Sequence, residues 1–148
     1  MKRIGFAADH AGFELKEKLK DFLRAESYDI RDFGTDSNES CDYPDFAHPL
    51  AKAIKENTVD IGISICGSGN GINMVVNKYS HIRSALCWSV EIANLAVAHN
   101  KANICALPAR FITFDEAKNI IITFLNTKFE GGRHQKRIEK IPLNSNEK

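Results

Sequence analysis

The sequence predicts an α/β protein, a Rossmann-like doubly wound domain. Strand-like runs alternate with segments of helical periodicity along the chain, which is typical of a parallel sheet covered by helices on both faces. Runs such as residues 4–8 and 61–65 are almost continuously apolar, as expected for strands buried on both faces. Because crossovers between parallel strands are right-handed, we expect a three-layer sandwich with a five-stranded, mostly parallel sheet and a C-terminal helix.

The spacing of apolar residues places each element. Strands are predicted at residues 4–8, 28–33, 60–65, 82–87 and 103–107, and the alternation in the second suits an edge strand. Helical stripes begin near Leu15, Phe46, Ile72, Ile92 and Ala117, the third running to about Lys78. Pro44 suits a first helical turn, and Thr113 or Asp115 suits a helix cap. Residues 130–132 precede a short basic helix, and residues 144–148 are expected to be frayed.

Composition limits the classes of protein that fit this chain. Its 148 residues suffice for a core, and without repeats or linkers we predict a single domain over residues 1–148. A net charge of +1 gives no general attraction to nucleic acid or to anionic membranes. No apolar run approaches the ~18 residues of a membrane span. The four cysteines have no CxxC or zinc-type spacing and the start lacks a signal-peptide pattern, so we expect a reduced, cytoplasmic protein.

The most informative segment is the glycine-rich loop at residues 66–71, Cys-Gly-Ser-Gly-Asn-Gly, between a strand and a predicted helix. Glycines allow successive backbone N–H groups to point into one concavity. A thiolate of Cys66 beside such donors could act as a base or nucleophile next to a site that stabilises negative charge. A buried structural thiol is the alternative. Ile72 stands where a dinucleotide-binding fingerprint has its third glycine, and no P-loop motif is present.

Three further groups of polar residues are candidates for chemistry, each with a structural alternative. Asp9 and His10 end the first strand, where they could contact sugar hydroxyls or phosphate, or cap the next helix. His99 continues an apolar helical stripe, so it is a core or interface histidine or a proton shuttle. Arg133 and Arg137 share one helix face at i, i+4 spacing. They suit a phosphate, and the alternative is a solvated basic face.

Together these residues resemble the sugar-phosphate isomerase family that contains type B ribose-5-phosphate isomerases and the galactose-6-phosphate isomerase subunits. The resemblance runs from Ile4 to about Ile141 and depends on several separate motifs in order. The motifs are Asp9-His10-Ala11-Gly12, Gly34-Thr35, Asp42-Tyr43-Pro44, residues 66–72, Asn77-Lys78, Ile82-Arg83, His99-Asn100, Asn103 and Glu130-Gly131-Gly132-Arg133-His134.

The resemblance implies an aldose–ketose isomerase of the pentose phosphate pathway, which interconverts D-ribose 5-phosphate and D-ribulose 5-phosphate through an enediolate, without metal or cofactor. It implies that His99 opens the furanose ring, that Cys66 moves the proton between C2 and C1, and that Ser68 assists at the oxygens. The remaining implied roles are an anion hole from Gly67, Gly69, Asn70 and Gly71, hydroxyl contacts from Asp9, Tyr43, Asn100 and His134, and phosphate contacts from His10, Arg110, Arg133 and Arg137.

The resemblance also implies assembly, since family members are homodimers, in some cases tetramers, with active sites shared between subunits. By topology, His99 and Asn100 fall at the opposite edge of the predicted sheet from Cys66. A shared site would account for that placement. The expected partners are a small sugar phosphate and a second copy of the chain, with no nucleic acid and no membrane.

Alternatives remain for substrate and for function class. Galactose-type subunits lack the Gly131-Gly132-Arg133-His134 ending, which therefore favours a pentose phosphate over galactose 6-phosphate. Allose 6-phosphate could share the same phosphate contacts. A non-catalytic sugar-phosphate or nucleotide sensor is compatible with the fold, although it would not need a thiol beside anion-stabilising amides.

Two local positions bear on the implied roles. The family usually has glycine where Pro108 stands, so the loop that carries Arg110 could be placed differently. Members with serine at the position of Cys66 use a glutamate in the next helix, and here Val75 and Val76 occupy that neighbourhood. We therefore expect the cysteine version of the site.

Overall fold

The computed structural model describes residues 1–144 and 146, so Ser145, Glu147 and Lys148 of the segment predicted to be frayed lie outside the described residues. That part of the chain forms five strands and six helices. The strands are β1 (Arg3–Ala8), β2 (Asp29–Asp32), β3 (Ile61–Cys66), β4 (Ser84–Leu86) and β5 (Ile104–Pro108). The helices are α1 (Phe13–Ala25), α2 (Pro44–Lys55), α3 (Asn70–Val76), α4 (Val90–Ala98), α5 (Phe114–Asn126) and α6 (Arg133–Ile138).

The sheet is parallel throughout, with the strand order β2-β1-β3-β5-β4. The carboxyl ends of the strands therefore share one edge of the sheet, where ligands bind in doubly wound folds. Central β3 pairs with β1 and β5, and its last residue is Cys66. β2 is an edge strand, as predicted.

Helices cover both faces of the sheet. On one face α1, α4 and α5 enclose a core that includes Phe6 and Ile63, and on the other α2 and α3 enclose a core around Leu50 and Ile72. The predicted α/β class and three-layer arrangement are confirmed. None of the helices in the described part of the chain has the length and apolar character that crossing a lipid bilayer requires.

Two elements are shorter than predicted because local hydrogen bonds replace the regular ones. β4 covers only Ser84–Leu86, since the N–H of Ile82 donates to Tyr79 O and that of Arg83 to Asn103 Oδ1. Helix α3 ends at Val76. The following turn has i→i−3 bonds, such as the one from Tyr79 N–H to Val76 O.

A partly buried ion-pair network supports the carboxyl edge of the sheet. Lys16, whose side chain is fully buried, donates to Asp32 with an Nζ–Oδ2 distance of 2.6 Å, and Lys20 donates to the same carboxylate. Burial opposes ionisation of Asp32, but the two lysines outweigh it and the pKa of Asp32 lies below its ordinary value. Asp32 also accepts the N–H of Gly34 at 2.9 Å. It thereby fixes the loop whose Thr35 N–H donates to Ala8 O, next to Asp9.

Candidate active site

The glycine-rich loop places a buried sulfur beside unpaired amide donors. Cys66, with 4% of its surface exposed, ends β3, and the chain turns into α3 through Gly69, which has the left-handed φ of 76°. The N–H groups of Gly67, Ser68 and Gly69 donate to no acceptor in the described part of the chain. The Asn70 N–H donates to Ser68 Oγ at 3.2 Å. Several donors next to the thiol are therefore available to an external anion.

The alternate glycines also have a packing role, because two side chains predicted to bind the ligand lie against them. A Cβ atom at Gly67 would lie 3.0 Å from Nη1 of Arg110, and one at Gly71 would lie 2.4 Å from Cζ of Tyr43. Any larger residue would displace these side chains. The loop and the two predicted ligand-binding residues therefore form one packed unit.

Backbone hydrogen bonds tie the loop that carries Arg110 to the end of β3 and to the glycine-rich loop. The N–H of Ala109 donates to Cys66 O at 2.9 Å, and that of Arg110 donates to Gly67 O at 3.0 Å. The N–H groups of a strand point alternately to its two neighbouring strands. Since the N–H of Ala109 points to β3, the backbone nitrogen of Pro108 faces the β4 side. It lies beyond Leu86, where β4 ends. A missing N–H removes no ladder bond there.

Asp9 and His10 use part of their bonding capacity within the chain. Asp9 Oδ1 accepts the N–H groups of Ala11 at 3.0 Å and Gly12 at 3.2 Å, so it stabilises the turn into α1 rather than capping the helix. His10 Nδ1 accepts the N–H of Cys41 at 3.2 Å, which leaves Nε2–H as a donor. We call the predicted site residues at this edge the cysteine cluster: Asp9, His10, Tyr43, residues 66–71 and Arg110.

The other predicted residues lie at the opposite edge of the sheet. Helix α4 starts after β4 and runs back to His99, which caps its C-terminus, and β5 begins at Ile104. The five residues of β5 span roughly 17 Å at 3.3 Å per residue. A single chain therefore does not bring His99 to Cys66, as the topology predicted.

At this second edge, two histidines stack on each other beside a carboxylate. The rings of His99 and His134 have centroids 4.1 Å apart at an interplanar angle of 12°. Glu130 Oε2 lies 3.6 Å from Nε2 of His99 and 3.5 Å from Nε2 of His134. Burial lowers the pKa of His134, with contributions from His99, Arg133 and Arg137, and Glu130 partly opposes this. We call His99, Asn100, Glu130, Arg133, His134 and Arg137 the histidine cluster.

The histidine cluster exposes unpaired positive charge. Arg133 and Arg137 are exposed on α6 and form no ion pair with any residue that the structure describes. Asn100 is also exposed, while its backbone oxygen accepts Arg83 Nε at 2.9 Å. Two neighbouring guanidinium groups without protein carboxylates suit an incoming phosphate.

His99, Glu130 and His134 are also residue types that bind metals, and one ligand atom from each lies within 4.8 Å of the others. Their geometry does not favour a metal, however. In nearly parallel stacked rings the in-plane nitrogen lone pairs run side by side instead of converging on one point. Arg133 and Arg137 add positive charge nearby. The arrangement is better suited to holding and exchanging protons.

Glu130 is the functional candidate that the sequence reasoning left without a role. The signal was its position four residues before His134, with two intervening glycines.

A cavity of about 630 Å³ lies elsewhere, lined among others by Lys78, Arg83 and Leu143, and none of the predicted site residues lines it.

Comparison with known proteins identifies the family. The family model for ribose/galactose isomerases matches residues 4–141. The chain belongs to the ribose/galactose isomerase family. Within it, Escherichia coli ribose-5-phosphate isomerase B is 40% identical over 141 residues, which make up 95% of each chain.

Solved structures from the family share this fold. A ribose 5-phosphate isomerase from Thermotoga maritima has a TM-score of 0.93 and 48% identity, covering 95% of this chain and 97% of its own. Ribose-5-phosphate isomerase B from Mycoplasma genitalium, solved with bound ribulose-5-phosphate, has a TM-score of 0.90 and 41% identity, covering 94% and 93%. The predicted family is confirmed, and the protein is an isomerase. The roles of individual side chains stay predictions.

Proposed function

We propose that the protein interconverts D-ribose 5-phosphate and D-ribulose 5-phosphate, with Cys66 as the group that moves the proton. The observation that carries this is the buried thiol followed by amide donors that have no acceptor in the described part of the chain. Family relatives named for this reaction add support.

In the proposed reaction, the Cys66 thiolate removes the C2 proton of the open-chain aldose, and the electron pair left on carbon forms the C1–C2 double bond of an enediolate. The charge that develops on oxygen is stabilised by N–H groups of the loop, among which those of Gly67, Ser68 and Gly69 have no acceptor in the described part of the chain. One such donor is worth roughly 3 kcal/mol. Cys66 then returns its proton to C1, while Ser68 assists the transfer between the two oxygens. Neither oxidant nor metal is required for this balance.

Substrate binding would need both clusters. His10 and Arg110 lie in the cysteine cluster, whereas Arg133 and Arg137 lie in the histidine cluster at the other edge. We propose that they bind one phosphate across a subunit boundary, in a homodimer where the histidine cluster of one copy faces the cysteine cluster of the other. Asp9, Tyr43, Asn100 and His134 would then contact the sugar hydroxyls.

Exposed apolar side chains support a partner at the carboxyl edge. Trp88, which follows β4, is 59% exposed, and Phe111, which follows β5, is 75% exposed. Met74 on α3 is likewise exposed. Large apolar groups around a binding edge are typical of an interface between subunits.

The test is a turnover assay with ribose 5-phosphate, allose 6-phosphate and galactose 6-phosphate as separate substrates, each with and without a chelator. We expect the highest kcat/KM for ribose 5-phosphate and no effect of the chelator. A higher kcat/KM for a hexose phosphate would overturn the substrate, and ligand binding without turnover on any of them would favour the sensor.

A further inference from the structure

Glu130 is held beside His99 by its backbone. Its N–H donates to Ala98 O at 3.0 Å, one residue before His99. Gly131 and Gly132 follow with φ of 69° and 57°, and nothing lies within 4 Å of where their Cβ atoms would be. The glycines are therefore required for their backbone conformation rather than for space. They turn the chain so that His134, whose N–H donates to Gly131 O at 3.1 Å, comes back over His99.

The same oxygen of the Glu130 carboxylate, Oε2, lies near the Nε2 atoms of both His99 and His134. Its distances of 3.6 and 3.5 Å to the two Nε2 atoms are ion-pair distances, longer than a hydrogen bond. Catalytic contacts of this length often tighten when substrate binds.

The alternative to a functional role is that Glu130 is an ordinary solvated carboxylate, since its side chain is 59% exposed. Exposed ion pairs contribute little to stability, so stability alone gives no reason for this placement. A carboxylate on one nitrogen of an imidazole selects the tautomer and leaves the other nitrogen as the base.

We infer that Glu130 is a positioning residue for ring opening: it binds Nε2–H of His99 and leaves Nδ1 as the nitrogen that accepts a proton from the sugar. The inference rests on the proposed isomerase function. In that step the base takes the O1 proton, the O1–H electrons form the C1 carbonyl, the C1–O4 bond breaks, and O4 gains a proton. One imidazole can accept the proton from O1 and then donate it to O4. Glu130 itself touches no reacting atom.

The first measurement uses the substrate-free enzyme. Nitrogen NMR of the imidazoles in wild type, Glu130→Gln and Glu139→Gln reports the tautomer of each histidine. Glu139 is the matched control, because it receives the same change on the same segment and its carboxylate accepts Gln135 Nε2 at 2.8 Å, away from the histidines. We expect one Nε2–H tautomer for His99 in wild type and in the control, and a mixture in Glu130→Gln.

The second measurement separates ring opening from proton transfer at carbon. Ribose 5-phosphate closes a furanose ring, whereas ribulose 5-phosphate stays acyclic because its C5 oxygen carries the phosphate. We expect Glu130→Gln to lower kcat/KM on ribose 5-phosphate by about 10- to 100-fold. Deuterium uptake at C1 of ribulose 5-phosphate in D₂O should change by less than about threefold, since this exchange involves no ring opening.

An unchanged His99 tautomer in Glu130→Gln, or an equal loss in both reactions, would overturn the inference. If the wild type lacks turnover on every sugar phosphate, the proposed function fails instead. The NMR result then still reports whether Glu130 determines the tautomer of the His99 imidazole.

Discussion

The two clusters at opposite edges of the sheet differ in how complete they are. In the cysteine cluster, loop glycines pack against Tyr43 and Arg110, and backbone bonds tie Arg110 to the loop. In the histidine cluster, by contrast, Arg133 and Arg137 are exposed and find no acidic partner among the described residues. One edge therefore holds the packed loop that we propose as the reaction centre, and the other presents exposed positive charge.

This difference suggests how the chemistry is divided. Stabilising an enediolate requires donors fixed before the reaction, which a packed loop at the end of a central strand provides. Phosphate binding and ring opening tolerate a more open surface, which a second subunit can close over. The contrast predicts that changes in the cysteine cluster affect kcat, and that changes in the histidine cluster affect substrate binding or ring opening.

The largest effect is expected for Cys66→Ala. Without the base, kcat should fall by at least about 10³-fold, while binding of ribulose 5-phosphate, measured by calorimetry, should change little. Cys87→Ala is the matched control, because it removes another buried thiol outside the loop. Substantial turnover by Cys66→Ala would show that the sulfur is not the base. It would also contradict the division of roles between the two clusters.

Mixing two inactive variants tests whether the clusters meet across a dimer. Cys66→Ala and His99→Asn subunits, allowed to reassociate at random, should recover about a quarter of the wild-type rate, because half of the dimers are mixed and each has one intact site. The control mixes Cys66→Ala with the double variant Cys66→Ala/His99→Asn, which offers no intact site. Recovery no greater than the control would place the whole site within one chain.

Arg137→Ala should produce a smaller, separable effect. A guanidinium that binds the phosphate equally in ground and transition states contributes to KM, so KM should rise about 10- to 100-fold with kcat little changed. Lys136→Ala, one residue away on the same helix, is the control for loss of charge. An unchanged KM would mean that this helix face is only solvated.

The sequence predicted the position of the cysteine cluster in the fold better than it predicted the contacts within the histidine cluster. The parallel sheet and the loop after β3 followed from strand-like runs alternating with helical stripes, because burial on both faces leaves a strong pattern. The contacts of Glu130 with two histidines did not follow, because they depend on how Gly131 and Gly132 turn the chain. Periodicity carries no information on such a turn.

Strand ends were also beyond the sequence pattern. β4 is shorter than the apolar run that predicted it, because an Asn103 side chain takes the N–H of Arg83. Likewise, the sequence left Asp9 as a ligand-binding or a capping residue. Its Oδ1 accepts two N–H groups of its own turn instead of capping the helix, and its role in ligand binding stays a prediction. The Asn103 bond joins residues 20 apart and depends on tertiary placement. The Asp9 bonds are local to its turn, and hydrophobic periodicity encodes neither kind.

The smallest effect should come from Asp60, just before β3 at the edge opposite Cys66. Hydrogen bonds from the Arg3 side chain and N–H lower the pKa of Asp60 to about 2. Because the folded pKa is below the ordinary value near 4, the pair's contribution is present above about pH 4 and is lost as pH falls toward 2. Asp60→Asn should therefore have a slightly lower Tm than wild type at pH 7, and this difference in Tm should close by pH 2, with turnover unchanged.

Asp21→Asn, which changes a more exposed carboxylate, is the control. An equal Tm gap at both pH values would show that the charge of Asp60 is not what supports the start of this strand.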